Sequence, residues 1–376
     1  MFTQKGYVSY MNLENNVQDK AIIIDLENRE IVKGLYEAFL QAEILSLIDK
    51  THEIYVHVPI GASFFRDEQP IEGTYLDVEF AEAIILASAG KPITFYETPA
   101  TNNRNIKSLF EKFGYMQLAE KYSQVRILCL KEDLLKHEDI VSFNYGFDYP
   151  PVRLPSFLFN NKNLIISFSN PKAPFSENVA GFKGLPFSLS GKSLIIGSTL
   201  FPKKNLLHLA FSDIGLGLKD YIVDALEKIH KAGVACIGIN GGHYAGYMIE
   251  QVKVEPIYWN ALTVSTSIGI SDAVTAILMG YQPQNLDFFA NLAQKGLIPS
   301  NMSTIPIIEI GNSRKRLEKQ LKLNNPFLLR GSPITTRKWI LGLLKQVSLK
   351  DRLKIIGKII PSIIKYKFKR KNRSNK

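Results

Sequence analysis

Three stretches of this 376-residue chain carry side chains whose types and spacing suit chemistry. The first is the glycine-rich run Gly238-Ile239-Asn240-Gly241-Gly242-His243, which follows a buried-strand pattern over 233–238. Glycines placed after a strand let backbone N–H groups approach a phosphate or carboxylate closely. Asn240, Gly241 and Gly242 are therefore assigned to ligand binding. His243 supplies a group that exchanges a proton near neutral pH. The run has neither Walker-loop nor dinucleotide-fingerprint spacing. The second stretch holds Lys172 and Lys183, in a Ser/Pro/Asn-rich context after the apolar run 164–167. Lysines at such loop edges clamp an anion as point charges. The third element is a pair of carboxylates. Glu97 ends a strand, and Asp272 opens a helix just after the strand-like run 262–266. Both fall where open α/β sheets place their ligands, at the carboxyl ends of strands. Asp272 also suits the cap of its helix. Facing one crevice, Glu97 and Asp272 would form an acid/base pair, so His243, Glu97 and Asp272 are the candidate catalytic groups.

Other chemistries lack their patterns. The six histidines (52, 57, 137, 208, 230, 243) show no HxH, HExxH or comparable ligand spacing, so no metal site is assigned. His57, inside an apolar run, reads as a core histidine. No GxSxG elbow or catalytic-cysteine signature is present. Cys129 and Cys236 both sit in apolar surroundings, which suits free thiols in a reducing compartment and excludes an iron–sulfur module. The sequence assigns no cofactor.

The elements that must position these groups follow from periodicity. A strand at 21–24 precedes a helix over 29–48. Strands at 54–58, 92–96 and 125–130 alternate with helices at 78–88 and 106–113, the latter ended by Gly114. Short apolar strands separated by helices imply βαβ units and a parallel sheet. The Pro- and aromatic-rich segment 147–157 reads as a crossing between lobes. Strands resume at 164–167, 193–197, 233–238, 262–266 and 305–310, with helices at 218–231, 272–279 and 285–294. The expected fold is α/β and two-lobed, with mainly parallel sheets flanked by helices. Its units are an N-terminal lobe (1–150), a second lobe (151–329) and a tail (330–376).

Several of these stretches together resemble the prokaryotic family catalogued as domain of unknown function 362, over roughly 50–300. They are the strand ending at Pro59 with Gly90-Lys91-Pro92 and Glu97 beyond it; Ile165-Ile166-Ser167 with Pro171-Lys172 and Lys183-Gly184; and the glycine-rich run with Ile270-Ser271-Asp272 and Gly280-Tyr281-Gln282-Pro283. The resemblance implies a two-lobed α/β body. Where the family's strand ends in Lys-Pro-Asn, this chain has Val58-Pro59-Ile60, and the family's Lys-Asn reads Lys183-Gly184.

The charge is uneven. The tail holds 15 of the 46 Lys and Arg residues and one of the 35 Asp and Glu, which leaves a body of net charge −3 under an overall charge of +11. The high pI of about 9.3 belongs to the tail, so a nucleic-acid partner is not expected. Leu349, Leu353, Ile356, Ile360 and Ile363 share one helical face, with Lys350, Arg352, Lys354, Lys358 and Lys365 largely elsewhere and Trp339 upstream. That pattern predicts a helix lying in a membrane interface. No signal peptide and no spanning segment is visible. The expected protein is cytoplasmic and peripheral on the inner membrane face. It acts there as an enzyme on an anionic small molecule or lipid-linked intermediate; the alternative is a non-catalytic ligand-binding or scaffold protein.

Overall fold

Runs of Ile, Val, Leu and Phe that are buried on both faces form the centre of the molecule, as parallel strands require. The computed structural model describes residues 19–60, 65–66, 69–98, 105–130, 139–143, 152–173, 187–200, 218–250, 253–323 and 327. Lys183 and the whole tail from residue 330, including Trp339, Lys350, Arg352, Lys354, Lys358 and Lys365, lie outside them.

The strands are β1 (Ala21–Asp25), β2 (Glu53–His57), β3 (Phe65–Arg66), β4 (Gln69–Pro70), β5 (Ile93–Glu97), β6 (Val125–Cys129), β7 (Ile140–Phe143), β8 (Val152–Pro155), β9 (Asn163–Ser169), β10 (Lys172–Ala173), β11 (Ala235–Glu250), β12 (Lys253–Ser265) and β13 (Ile307–Ile310). The helices are α1 (Ile31–Gln41), α2 (Ile44–Lys50), α3 (Val78–Ala87), α4 (Ile106–Lys112), α5 (Tyr115–Lys121), α6 (Ser190–Ser198), α7 (Leu218–Lys231), α8 (Ile268–Leu278), α9 (Asp287–Gln294) and α10 (Ser313–Leu323).

One nine-stranded sheet runs in the order β13-β1-β12-β11-β9-β2-β5-β6, with β10 paired to the distal half of β11. Its pairs are parallel except β1–β12 and β11–β12. The α/β expectation is met. The two sequence halves, however, share this sheet and cover its opposite faces. Helices α1–α5 pack on Ile22, Ile24, Ile54, Val56, Ile93, Phe95, Leu164, Ile166 and Ile237. Helices α6–α10 pack on the other face, around Ile23, Tyr96, Ile165, Ala261 and Trp259. The halves are thus two layers on a common sheet, an arrangement set by the period-2 alternation of side chains along each strand.

Two local readings are corrected. The helix expected over 29–48 is broken at Glu43, which takes a left-handed φ of 62° between α1 and α2. The strand expected over 193–197 is part of α6. A short apolar run does not separate strand from buried helix by periodicity, and α6 is buried on nearly all sides.

The chain order gives the sheet a switch point. Moving from β2 through β5 to β6, the chain travels outward in one direction; it then returns to lay β9 on the other side of β2 and β11 beyond it. Open α/β sheets bind ligands outside the carboxyl ends of the strands at such a reversal.

Candidate functional site

Helix α6 lies across those carboxyl ends. The Ser190 carbonyl accepts from Ser167 Oγ of β9 at 2.7 Å, and Ser193 Oγ lies 3.1 Å from Ser169 Oγ. Gly197 sits against His57 of β2, and Ser198 Oγ lies 3.1 Å from the Tyr96 hydroxyl of β5. The helix touches the sheet through Ser190, Ser193, Gly197 and Ser198, small residues that allow close approach. A Cβ on Gly197 would stand 1.7 Å from His57 Nε2.

The first turn of α6 carries Lys192, which is 8% exposed. Lys172, 9% exposed, stands near it. Lys172 pairs through its backbone with Ser188 in both directions, at 3.2 and 2.6 Å. Its Nζ donates to the Thr74 carbonyl at 2.8 Å. Burial first, and the Lys172 charge second, push the Lys192 amine down to about 7. A helix N-terminus adds its own positive dipole against a cation there.

His57 and Glu97, both 1% exposed, close the other end of α6. Glu97 Oε1 is 3.5 Å from His57 Nε2 and accepts from the Thr98 N–H at 2.8 Å. His57 Nδ1 has no hydrogen-bond partner. The imidazole instead meets the Tyr96 ring edge-on at 5.6 Å. The core-histidine expectation for His57 is right about burial, but the ring is not satisfied there. A buried polar atom without a partner is costly enough to call for a reason.

Asp272 occupies a different place from the one expected. Ser267 caps α8, accepting from Ile270 N, and Asp272 sits one turn inside the helix. It reaches instead to the start of α6. Asp272 Oδ2 accepts from Gly191 N at 3.0 Å, and Oδ1 accepts from Ser190 Oγ at 2.5 Å and Asn240 Nδ2 at 2.9 Å. Asn240 Oδ1 takes Ser190 N at 2.8 Å, and its amide also donates to Ser271 Oγ at 2.9 Å. Burial raises the Asp272 carboxyl to about 6, against the pull of these hydrogen bonds. Gly191-Lys192-Ser193 therefore opens a helix, yet the Ser190 and Gly191 N–H groups that would cradle a phosphate are already filled by Asn240 and Asp272.

The glycine-rich run is not a loop. Asn240, Gly241 and Gly242 lie within β11, paired to Thr263, Leu262 and Ala261 of β12. Gly241 has a φ of 145°, and a Cβ there would stand 2.0 Å from the Ala261 carbonyl oxygen. These glycines are required by hairpin packing, and Asn240 is spent on capping α6. His243, beside a bulge, points to the α3 side. Its Nε2 is 2.7 Å from Glu79 Oε1, its Nδ1 is 2.8 Å from Asn260 Oδ1, and its ring tilts on Phe80. Burial works against the imidazolium, but hydrogen bonds to Asn260 and Glu79 and the charges of Glu79 and Asp77 outweigh it and raise the His243 pKa.

The candidate residues thus fall into separate settings. Glu97 is joined with His57, Lys172 with Thr74 and Ser188, Asp272 and Asn240 with Ser190, and His243 with Glu79. The expected Glu97–Asp272 pairing is not among these contacts. In the sequence His57 reads as a core residue, and no motif marks Lys192. Its signal is that it is the only charged residue between Lys183 and Lys203. Among the described residues no group of three His, Cys, Asp or Glu is placed to hold a metal ion, and no helix is long and apolar enough to cross a membrane. No family model and no curated protein matches this chain.

Proposed function

We propose that this chain is an enzyme that binds an anionic small molecule, or the anionic head of a lipid-linked intermediate, at the carboxyl ends of β2, β5 and β9. The observation that carries this reading is the burial of two lysines, Lys172 just beyond β9 and Lys192 in the first turn of α6. In a desolvated place each lysine disfavours the charged form of the other, and a bound anion offsets that cost. His57 and Glu97 then supply a histidine–carboxylate pair for proton transfer under the same helix. The resemblance to the family catalogued as domain of unknown function 362 is consistent with a ligand site at Lys172 and names no substrate.

Lys192→Met tests the anion site with effects of opposite sign. Burial disfavours the charged form of the Lys192 amine, and an apolar side chain of similar length does not carry that cost. The amine titrates near 7 in the fold and near 10.4 when unfolded. Between those values the unfolded chain binds more protons, so wild-type stability rises with pH. The gain from Lys192→Met is therefore greatest below pH 7 and fades toward pH 10, as urea unfolding at several pH values would record. The same variant loses the rise in melting temperature that phosphate, oxalate and citrate give the wild type. If all three anions shift both proteins equally, the lysine pair is not the ligand site.

A second reading, binding without catalysis, is favoured by one feature. Val58 and Ile60, which follow β2, are both 0% exposed. They stand where the resembled family has polar residues. Turnover separates the two readings, since a binder shows anion-dependent stabilisation and no consumption of any ligand.

The basic amphipathic tail places the protein against an anionic membrane surface in this reading. Each cation near an anionic leaflet contributes about 1 kcal/mol. The full chain floats with phosphatidylglycerol vesicles and not with phosphatidylcholine ones. Exchanging Lys350, Arg352, Lys354, Lys358 and Lys365 for Gln abolishes that flotation. Undiminished flotation of the exchanged chain would rule out the tail as the anchor.

A further inference from the structure

We propose that the chain's own C-terminal tail docks on the outer face of α1 when no membrane is present, setting the apolar face of residues 349–363 against Val32, Tyr36 and Leu40. The proposal rests on the amphipathic reading of the tail and gives its apolar face a second seat besides the membrane.

The seat is a stripe. Val32, Tyr36 and Leu40 stand four residues apart on α1, so they lie one above the other along one face. They are 38%, 49% and 57% exposed. Leu35, Ala38 and Phe39 already bury the inner face of the helix on the sheet. A surface helix normally turns charged and polar residues to water there. Leu86, 50% exposed, adds to the apolar surface from α3, which packs beside α1. The other exposed large apolar residues among the described ones, Tyr258, Ile277 and Ile307, fall singly on β12, α8 and β13. Single ones are ordinary, whereas a contiguous set marks an interaction surface.

Charge and reach choose the occupant. Over 29–50 and 77–87 there are seven Asp and Glu against three basic residues, Arg29, Lys33 and Lys50, a net of −4. Some are paired on the surface, Glu37 with Arg29 and Glu30 with Lys33, but the net field still attracts cations. The tail brings 15 Lys and Arg with one acidic residue. The opposite layer repels it, since α10 carries Arg314, Lys315, Arg316, Lys319 and Lys322 against Glu318. The α1 stripe is about 12 Å long at 1.5 Å per residue, and the tail's apolar row from Leu349 to Ile363 is about 21 Å in a helix. Rows of this kind pack into one another side by side. Helix α10 packs on β1 and the edge strand β13, and α1 packs on β1 from the other face. The chain leaving Leu323 therefore has only the sheet edge to round. The 26 residues from there to Leu349 reach roughly 85 Å when extended.

The test places the photo-cross-linker p-benzoylphenylalanine at Tyr36 of the full chain and irradiates it without vesicles. Peptide mass spectrometry then finds an adduct within 340–365, in a product that runs at the mass of one chain. Val32→Lys with Leu40→Lys, both at exposed positions, lowers that adduct at least fivefold. An undiminished adduct in that variant overturns the stripe as the seat. An adduct at the mass of two chains assigns the stripe to a second copy, and no adduct in the tail leaves it without this occupant; either overturns the proposal. Phosphatidylglycerol vesicles float the chain and lower the adduct at least fivefold. An adduct that persists on the floated chain overturns the sharing of one apolar face. Flotation with no vesicle-free adduct overturns the docking and leaves the membrane reading standing, while an adduct with no flotation does the reverse.

Discussion

Gly197→Ala lowers the unfolding free energy by about 3 kcal/mol, at the upper end of what one added methyl costs in a packed core. The reason is the contact between α6 and β2. The added Cβ would stand 1.7 Å from Nε2 and 2.4 Å from Cδ2 of His57, far inside any real carbon contact. His57 is 1% exposed and hemmed in by Tyr96. Either the imidazole must leave its place beside Glu97 or α6 must lift from the carboxyl ends of the strands. Both outcomes disturb the site. The partner variant His57→Ala removes the obstacle. If the clash is the cause, the double variant is less destabilised than the two single variants added together, by at least about 1.5 kcal/mol. Denaturant unfolding of the four proteins measures this. Strict additivity would show that the two residues do not oppose each other.

Asp272→Ala is the second large effect, a loss of about 3–4 kcal/mol at pH 7. The variant strands Ser190 Oγ, the Gly191 N–H and one donor of Asn240, all of them buried. Each abandoned donor costs about 1–3 kcal/mol, and a relaxed network recovers part of that. The pH dependence has the opposite sense from that of a salt-bridged aspartate. Burial raises the folded pKa of Asp272 to about 6, above its unfolded value near 3.9. Between these values the folded state binds more protons than the unfolded one, so stability falls as pH rises from about 4 to about 6. Asp77 is also raised to about 6, by burial first, and adds a slope of the same sign in the same window. Asp272→Asn, which does not titrate, should therefore flatten only part of the slope, and adding Asp77→Asn should flatten more. An unchanged slope in Asp272→Asn would mean that the carboxyl is ionised throughout this range.

The layers of the fold were legible because hydrophobic periodicity is a local property. Ile22, Ile24, Val56 and Phe95 announce buried strands by composition alone, and the 218–231 helix matches α7 over its full length. Gly114 was readable as the end of α4, with a φ of 84°. What failed was local too. The run 193–197 holds enough Ile and Leu to pass for a strand, and Ser190 and Gly191 gave no capping signal of their own. Their cap comes from Asn240 and Asp272, 50 and more residues along the chain.

The candidate site was less legible, because its members come from distant parts of the chain. Lys172 is legible in the sequence as a charge just beyond a strand end, while its burial is not. In the sequence Asn240 suits a ligand group within the glycine-rich run, and Asp272 suits an acid/base or capping group at the start of a helix. Their donors and acceptors turn out to be spent on the fold. Reading Gly241 as a phosphate cradle overlooked that the Ala261 carbonyl fills the space where its side chain would be.

By itself, then, the sequence determined the α/β class, the main strands and helices, the slightly acidic body and the cationic tail. All of these follow from composition and short-range spacing. Only the tertiary structure decided that the two halves are layers on one sheet, that α6 crosses its carboxyl ends, and that Lys172 and Lys192 are both buried while His57 meets Glu97. Those placements come from sheet order and crossover direction. Neither leaves a mark in local sequence, because the contacts that enforce them join residues tens of positions apart.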